Sequence, residues 1–255
     1  MRVERLIEME DYVLKHGSVS LEDMATHFKI SLNTVRRDLG ELLERGKIKK
    51  VYGGVTASEL TESMIVSKRE VTNISAKQEI GKVAAQLIKD DSTVFIDSGT
   101  TPANVIPYLI NKSNVTIITN SLKAMYETAK HKNLDLLALG GYYNYSHGNF
   151  VANSSAESMT KLNFDLVLIA ATCISLTNGL SVNSYFEVDV KSRIVKNNAG
   201  RIALLATADK FDKSALYSFC DFDEVNTIVS DQPLPEHYIE RMKQKGITFL
   251  CPETK

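Results

Sequence analysis

The sequence predicts an α/β protein in which a small, mostly helical N-terminal domain precedes a larger domain built on a mostly parallel sheet. The chain has 255 residues, which is about the length of two domains. Its first 56 residues have the pattern of three short helices and a hairpin, whereas short apolar runs alternate with helical stretches from Asn73 onward. Short apolar strands separated by helices are typical of a parallel sheet that is covered on both faces.

The N-terminal domain is predicted to consist of three helices and a β-hairpin. Apolar spacing predicts a first helix over residues 1–16, and Ser20 and Ser31 are placed to cap a second and a third one. Residues 47–51 have the composition of a strand, which turns at 52–54 into a returning strand. This order predicts a winged helix-turn-helix over residues 1–56.

The C-terminal domain is predicted over residues 73–255, after a linker at 57–72 that shows no clear period. Predicted strands are Val94–Ile96, Val115–Ile118, Leu134–Leu139, Leu166–Ile169, Ile202–Ala206 and Thr227–Val229. Predicted helices lie near residues 74–89, 102–111, 121–131, 153–162, 184–198 and 236–245.

Composition excludes several classes of protein. With 44% hydrophobic and 24% charged residues the chain is neither disordered nor a disulfide scaffold. No apolar run approaches the ~18 residues of a membrane span, and the N-terminus lacks the apolar core of a signal peptide. Three widely spaced cysteines suit a reducing compartment and give no zinc pattern. We therefore expect a cytoplasmic protein without a metal or other cofactor.

Basic charge is concentrated in one short stretch. The whole chain has a net charge of −1, but residues 29–55 contain seven lysines and arginines against three acidic residues. Such a cluster within a helix-turn-helix pattern indicates a surface that contacts nucleic acid.

The third predicted helix has the residue types that read DNA. Its apolar positions Val35, Leu39 and Leu42 share one face, so the polar residues between them point away from the core or along its edge. Asparagine pairs with adenine, arginine with guanine, and serine or threonine with phosphate or a thymine methyl group. The alternative is a solvated helix that carries two arginines, but the cap, the tight turn and the basic wing favour DNA. We predict DNA contacts for Ser31, Asn33, Thr34, Arg36, Arg37, Lys47, Lys49 and Lys50.

Polar and glycine-rich turns follow three predicted strands of the second domain. Residues 97–101 (Asp-Ser-Gly-Thr-Thr) follow the first, Asn120 the second, and Gly140 with Gly141 the third. Strand carboxyl ends of an open parallel sheet meet at one crevice, and small residues before a helix let backbone N–H groups approach an anion. Lys210, after a later strand, can supply a cation for a phosphate. The alternative is a set of ordinary capped turns and a surface lysine.

Residues 19–54 resemble the DeoR family of bacterial transcription regulators. The matching residues are Ile30-Ser31, the unbroken run Thr34-Val35-Arg36-Arg37-Asp38-Leu39, and Tyr52-Gly53-Gly54. The resemblance continues in order through Asp97–Thr101, Thr119–Ser121, Gly140-Gly141, Gly148, Glu187, Lys191 and Lys210-Phe211, and so covers nearly the whole chain.

The resemblance implies a fold, a function and a set of ligand residues. The C-terminal domain would be similar to ribose-5-phosphate isomerase and glucosamine-6-phosphate deaminase in fold, and would sense a phosphorylated sugar. The chain would be a homo-oligomer, a dimer or a tetramer, and mostly such proteins repress operons of carbohydrate catabolism by binding a double-stranded operator. The implied effector-binding residues are Asp97, Ser98, Gly99, Thr100, Thr101, Asn120, Gly140, Gly141, Glu187, Lys191 and Lys210.

Two departures from the family pattern concern the pocket. Thr207 takes the position of a common aspartate and Asp209 that of a serine, while residues 170–173 (Ala-Ala-Thr-Cys) replace a common Gly-x-x-Gly. The alternative function is a sugar-phosphate isomerase or deaminase with an appended DNA-binding domain. Similar isomerases place paired aspartates where this chain has residues 170–173, so only Glu187 remains as a general base, and we expect no enzyme activity.

Overall fold

The computed structural model describes residues 2–16, 18–44, 48–51, 53–57, 69–145, 147–151, 162–197 and 200–252. The chain divides into two compact units, one of residues 1–69 with 145–147 and the other of residues 70–144 with 148–255. The predicted linker lies mostly outside the described residues, so its bounds stay predictions. None of the described helices is long and apolar enough to span a membrane.

The first unit is a winged helix-turn-helix, as predicted. Its elements are α1 (Arg2–His16), β1 (Ser18–Ser20), α2 (Leu21–Phe28), α3 (Leu32–Glu44), β2 (Ile48–Val51) and β3 (Gly54–Ala57). The sequence analysis missed β1, which adds a third antiparallel strand in the order β1-β3-β2. At three residues, β1 is too short to show the alternation by which strands are predicted.

Local chemistry explains where these helices begin and end. The Ser20 hydroxyl accepts a hydrogen bond from the Asp23 backbone N–H at 3.0 Å, which caps α2. Lys29 ends α2 in the left-handed region with φ 52°. In the wing, Gly53 has φ +80°, and a Cβ on Gly54 would lie 2.2 Å from the Val19 carbonyl oxygen. The two glycines are therefore required by the turn and by the close approach of β1.

The second unit contains a seven-stranded sheet and two smaller antiparallel pieces. Its helices are α4 (Ile74–Ala85), α5 (Leu122–Thr128), α6 (Tyr185–Asn197) and α7 (Glu236–Lys245). Its strands are β4 (Thr93–Ile96), β5 (Val115–Thr119), β6 (Leu134–Ala138), β7 (Tyr142–Asn144), β8 (Asn149–Val151), β9 (Leu166–Ile169), β10 (Cys173–Ser175), β11 (Gly179–Val182), β12 (Arg201–Leu205), β13 (Tyr217–Cys220), β14 (Thr227–Val229) and β15 (Thr248–Leu250). Short 3₁₀ helices lie at Pro102–Tyr108, Ala208–Lys210 and Phe222–Glu224.

The large sheet is parallel throughout in the order β15-β14-β12-β9-β4-β5-β6. Strands β4 to β6 extend the sheet in one direction, and β9 pairs with the other side of β4 and starts the opposite direction. The order therefore reverses between β4 and β9, and ligands bind at such a switch point in open α/β sheets.

Both faces of the sheet are covered, which explains the continuous apolar strands. Along β4, Val94 and Ile96 pack into one core with α4, while Phe95 packs into the other with α6 and α7. All six predicted strands are present. The seventh, β15, was missed, as were the β7–β8 hairpin and the antiparallel sheet β10-β11-β13. The predicted helix at 153–162 lies outside the described residues, apart from Leu162.

The predicted α-helix at 102–111 is wrong in type and length, because the chain forms a 3₁₀ helix over Pro102–Tyr108. Pro107 lies inside it, and proline lacks the N–H that an α-helix uses and clashes with the carbonyl four residues earlier. The helices predicted near 74–89, 121–131, 184–198 and 236–245 are present, with α4 ending at Ala85 rather than at residue 89.

Candidate functional site

Helix α3 presents its polar residues away from the core of the first unit. Val35, Leu39 and Leu42 are buried, whereas Asn33, Arg36 and Arg37 are exposed. The Ser31 hydroxyl accepts from the Thr34 backbone N–H at 3.2 Å and lies 2.9 Å from the Thr34 hydroxyl, so these two residues form the helix cap. The arrangement leaves an amide and two guanidinium groups on the first turns of the helix, which is the end that enters the major groove in this motif.

Asp38 lies inside the first unit, although it sits beside two exposed arginines in sequence. Its side chain is fully buried, and its Oδ2 accepts from Arg5 Nε at 2.9 Å and Nη2 at 2.7 Å. Arg37 Nε lies 3.8 Å from the other carboxylate oxygen. The ion pair ties α3 to α1 and therefore sets the orientation of the exposed face of α3. Sequence reasoning missed Arg5, and a buried carboxylate within an otherwise apolar face was the available signal.

The wing presents one exposed lysine. Lys50 is exposed on β2, Lys49 is half-buried, and Lys47 lies outside the described residues. The described part of the wing thus places ammonium groups on the strand that follows α3.

At the switch point of the second unit, a buried ion pair joins three elements. Asp97, directly after β4, and Lys191, on α6, are both nearly inaccessible to solvent, and Lys191 Nζ donates to Asp97 Oδ2. Lys191 Nζ also donates to the Ala170 carbonyl at 2.9 Å, and Asp97 Oδ2 accepts from the Ala170 backbone N–H at 3.0 Å. The pair therefore clamps the carboxyl ends of β4 and β9 to α6. Two of the predicted effector residues meet here, and each has the other as its partner.

The loop 98–101 lies beside this ion pair. A Cβ on Gly99 would stand 2.5 Å from the Ala170 Cβ, so only glycine lets the loop pass this closely. Asn104 Nδ2 donates to the carbonyls of Thr100 and Thr101 at 2.8 and 3.2 Å, which holds the loop in shape. Ser98 and Thr100 are half-buried. Because a seven-residue 3₁₀ helix follows, the loop lacks the α-helix N-terminus that the sequence predicts, and its anion-binding potential comes from backbone N–H groups and hydroxyls.

Two buried asparagines lie at the end of β5. Asn120 Nδ2 donates to the Phe150 carbonyl at 3.2 Å, and Asn149 Nδ2 donates to the Ser98 hydroxyl at 3.1 Å. Sequence reasoning predicted Asn120 and missed Asn149, which reaches the loop only because the β7–β8 hairpin folds over the strand ends.

Lys210 lies at the end of β12, two strands away from β4, a separation of about 10 Å across a sheet. Its Nζ lies 3.3 Å from Asp209 Oδ2. Burial acts to raise the pKa of Asp209, but a hydrogen bond from the Thr207 hydroxyl and the charges of Lys210 and Lys213 outweigh it and lower that pKa. Burial raises the pKa of Cys173, which faces the same lysines. Of the two family departures, Thr207 therefore donates to the carboxylate that pairs with Lys210, and Cys173 lies within reach of the Lys210 charge.

The remaining predicted effector residues lie around this edge without a common contact. Gly140 and Gly141 are exposed after the edge strand β6. Glu187 is half-buried one turn before Lys191 on α6. The structure thus brings Asp97 to Lys191 and Ser98 to the end of β5, and places Lys210 and the two glycines on either side.

A cavity of about 780 Å³ opens at the ends of β12 and β14. Its lining includes the carboxylates of Glu79, Asp209 and Asp231, and Asp231 Oδ1 accepts from the Ala208 backbone N–H at 2.8 Å. Three carboxylates repel an anion. This cavity is therefore a poor phosphate site despite its volume.

Two family models match the chain. Residues 5–61 match the "DeoR-like helix-turn-helix domain", and residues 72–232 match the "DeoR C terminal sensor domain". The chain belongs to the DeoR family of transcriptional regulators. It is therefore a DNA-binding regulator of transcription, and the resemblance found in the sequence is confirmed.

Curated relatives agree over the full length of the chain. It is 38% identical to the HTH-type transcriptional regulator IolR of Bacillus subtilis strain 168, covering 97% of this chain and 98% of that protein. It is 28% identical to the glycerol-3-phosphate regulon repressor of Escherichia coli K12, covering 94% of this chain and 96% of that protein. These relatives are regulators of transcription by name.

Solved structures match part of the chain. One is ribose 5-phosphate isomerase A from Methanocaldococcus jannaschii, with 17% identity, a TM-score of 0.39 and coverage of 55% of each chain.

Proposed function

We propose that this DeoR-family protein represses an operon of carbohydrate catabolism and leaves its operator when a phosphorylated sugar binds at the strand ends of the second unit. As a homo-oligomer, a dimer or a tetramer, it would place α3 of two subunits in successive major grooves, about one helical turn apart. The observation that carries the proposal is that one chain has both an exposed polar face on α3 and a polar crevice at the switch point of a parallel sheet.

For DNA, we propose direct base contacts by Asn33, Arg36 and Arg37, which are the exposed groups able to pair with base edges. Ser31 and Thr34 form the cap of α3 and would reach phosphate from there, beside the N–H groups of the first turn. Lysines 47, 49 and 50 of the wing would contact phosphates and contribute affinity without sequence preference.

For the effector, we propose that the phosphate binds between the loop 98–101 and Lys210. The loop offers backbone N–H groups and hydroxyls, and a long lysine side chain from β12 can approach across β9. A charge-assisted hydrogen bond to phosphate contributes more than one between neutral groups. Asp97 and Lys191 would shape the floor of the site through their ion pair. The name of the glycerol-3-phosphate regulon repressor supports a phosphorylated ligand.

The test is release of operator DNA. The protein is titrated onto DNA from upstream of its own gene and of neighbouring operons, and phosphorylated sugars are added beside their unphosphorylated parents. We expect release by one phosphorylated sugar and not by its parent. If the phosphorylated sugar and its parent released the operator equally well, the phosphate would have no part in binding and the proposed phosphate site would be wrong.

Lys210→Ala tests the same site from the protein side. The variant should bind operator like the wild type but need about 10- to 100-fold more effector for release, because one charged hydrogen bond is lost. Lys243→Ala, which removes an exposed lysine of α7, is the matched control. An unchanged response of Lys210→Ala would show that this lysine does not hold the phosphate.

A further inference from the structure

Within the described parts of the chain, two buried amide oxygens near the end of β5 have no hydrogen-bond donor. Asn120 and Asn149 are each 2% exposed, and among the residues that the structure describes nothing donates to either Oδ1. Their Nδ2 groups are both used, by the Phe150 carbonyl and the Ser98 hydroxyl. Buried acceptors without a donor are costly and rare in folded proteins. Two of them in one place point to a ligand that supplies the donors.

The two oxygens lie in the crevice where the effector is proposed to bind. Asn149 forms a bridge with Ser121, and the Phe150 backbone N–H donates to the Asn120 carbonyl at 2.8 Å, so the asparagines are neighbours. Asn149 also contacts Ser98, which follows Asp97 at the end of β4. The acceptors therefore stand at the ends of two adjacent strands, next to the switch point.

The contact with the Phe150 carbonyl determines which atom of Asn120 remains for a ligand. Asn120 faces the Phe150 carbonyl, and turning its amide over would set two acceptors against each other, so the oxygen is the atom left over. The neighbouring charges neutralise each other, because Lys191 Nζ is paired with Asp97 and also donates to Ala170. The crevice at this point thus offers acceptors in a neutral setting.

We propose that Asn120 and Asn149 form a hydroxyl-binding subsite that accepts two alcohol O–H groups from the carbon chain of the effector. The proposal rests on the proposed phosphorylated sugar and specifies its other end. A carboxylate or phosphate has no proton to donate at neutral pH and would be repelled by both oxygens. The effector therefore carries alcohols, not an acid group, at the end that reaches β5, and its phosphate lies away from the asparagines.

Binding at this subsite involves the β7–β8 hairpin, because both oxygens are enclosed. The hairpin is held to the end of β5 by the Phe150–Asn120 bond and by the Leu122 N–H, which donates to the Gly148 carbonyl at 3.1 Å. A ligand hydroxyl reaches the oxygens when these contacts open, so the hairpin changes position as the effector binds.

The test compares matched ligands that differ only at one end of the chain. The probes are glucitol 6-phosphate against 6-phosphogluconate, and erythritol 4-phosphate against 4-phosphoerythronate, measured by thermal shift and by calorimetry. For the pair that binds, wild-type protein should favour the alcohol by about tenfold or more, the effect of one buried unpaired group. Asn149→Leu should reduce this ratio, because only the Asn120 oxygen then discriminates, without lowering the melting temperature of the free protein, whereas Asn149→Asp should keep the preference for the alcohol.

Asn133→Leu is the matched control, since Asn133 Nδ2 donates to two backbone carbonyls, of Leu109 and Lys112. It should lower the melting temperature and leave the ligand ratio unchanged. Equal binding of alcohol and acid, or the same ratio in Asn149→Leu as in the wild type, would overturn the subsite and mean that a trapped water alone fills it. If neither phosphate of either pair binds, the proposed effector fails. The binding of glucitol is then compared with that of gluconate. The subsite is overturned if Asn149→Leu and the wild type show the same ratio of the two affinities.

Discussion

Two arginines of α3 and the aspartate that follows them in sequence have different environments. Arg36 and Arg37 are exposed, whereas Asp38 is fully buried and bound by Arg5 from α1. A motif that is continuous in sequence therefore divides in space: two side chains point outward to solvent, and the third points inward and ties α3 to α1.

Replacing the outward side chains should weaken operator binding. Arg36→Ala and Arg37→Ala should each cost roughly 1–3 kcal/mol of binding free energy if the side chain pairs with a base. Gel-shift titration at two salt concentrations measures this, with Lys82→Ala on α4 as a control for the loss of an exposed positive charge. If the double variant Arg36→Ala, Arg37→Ala bound operator like the wild type, α3 would not be the reading helix.

Replacing the inward pair should affect stability, and unequally. Arg5→Met removes the two hydrogen bonds that the Arg5 guanidinium donates to the buried carboxylate of Asp38, and should cost about 3–5 kcal/mol of unfolding free energy. Asp38→Asn leaves Arg5, which is partly exposed and can turn to water, and should cost about 1–3 kcal/mol. Calorimetry of the two variants gives the comparison. Equal losses, or none, would mean that the ion pair does not hold α1 and α3 together.

Among the elements, the wing requires its glycine at position 54, whereas α3 does not require Gly40. Gly54 approaches the backbone of β1 so closely that a Cβ would overlap the Val19 carbonyl, whereas a Cβ on Gly40 of α3 would meet nothing within 4 Å. The first glycine is required by packing, and the second only weakens a helix.

Alanine at these two positions should therefore change the stability of the first unit in opposite directions. Gly40→Ala should raise the unfolding free energy by about 0.5–1 kcal/mol, since alanine is the better helix former. Gly54→Ala should lower it by more than that, because β1 must separate from β3. Thermal unfolding followed by circular dichroism measures both changes, and stabilisation by Gly54→Ala would contradict the three-stranded wing.

At the carboxyl ends of β4 and β9 in the second unit, the residues that the structure describes present no exposed carboxylate that could act as the base of an isomerase. The strand-end loop 170–173 carries no carboxylate, and the carboxylate of Asp97 is buried in its ion pair with Lys191. An isomerase needs a general base that can reach the substrate proton, and neither element supplies one.

The purified protein should therefore not turn over ribose 5-phosphate or glucosamine 6-phosphate. A coupled assay at high protein concentration measures this, with the same sample tested for operator binding to show that it is folded. Turnover that Glu187→Gln abolishes would instead favour the enzyme, since Glu187 is a half-buried carboxylate one turn before Lys191 on α6.

By itself, the sequence determined the order of elements, because period and capping are local properties. The helices of the first unit, the six predicted strands and the exposed polar face of α3 follow from side chains that repeat at helical or strand spacing and from caps such as Ser20 and Ser31. The predictions were wrong where the local signal is weak or contradictory. Three-residue strands such as β1 show no alternation, and Pro107 lies in a segment predicted as a helix that forms a 3₁₀ helix.

Only the tertiary structure decided which distant residues meet. Asp97 and Lys191 are separated by 94 positions, and Ser98 and Asn149 by 51, so no spacing in the sequence joins them. Strand order brings the first pair together at the reversal between β4 and β9, and a hairpin folded over β5 brings the second. The sequence identifies side chains that can bind a ligand, but burial and hydrogen bonding, which depend on the packed fold, decide which of their atoms remain free for it.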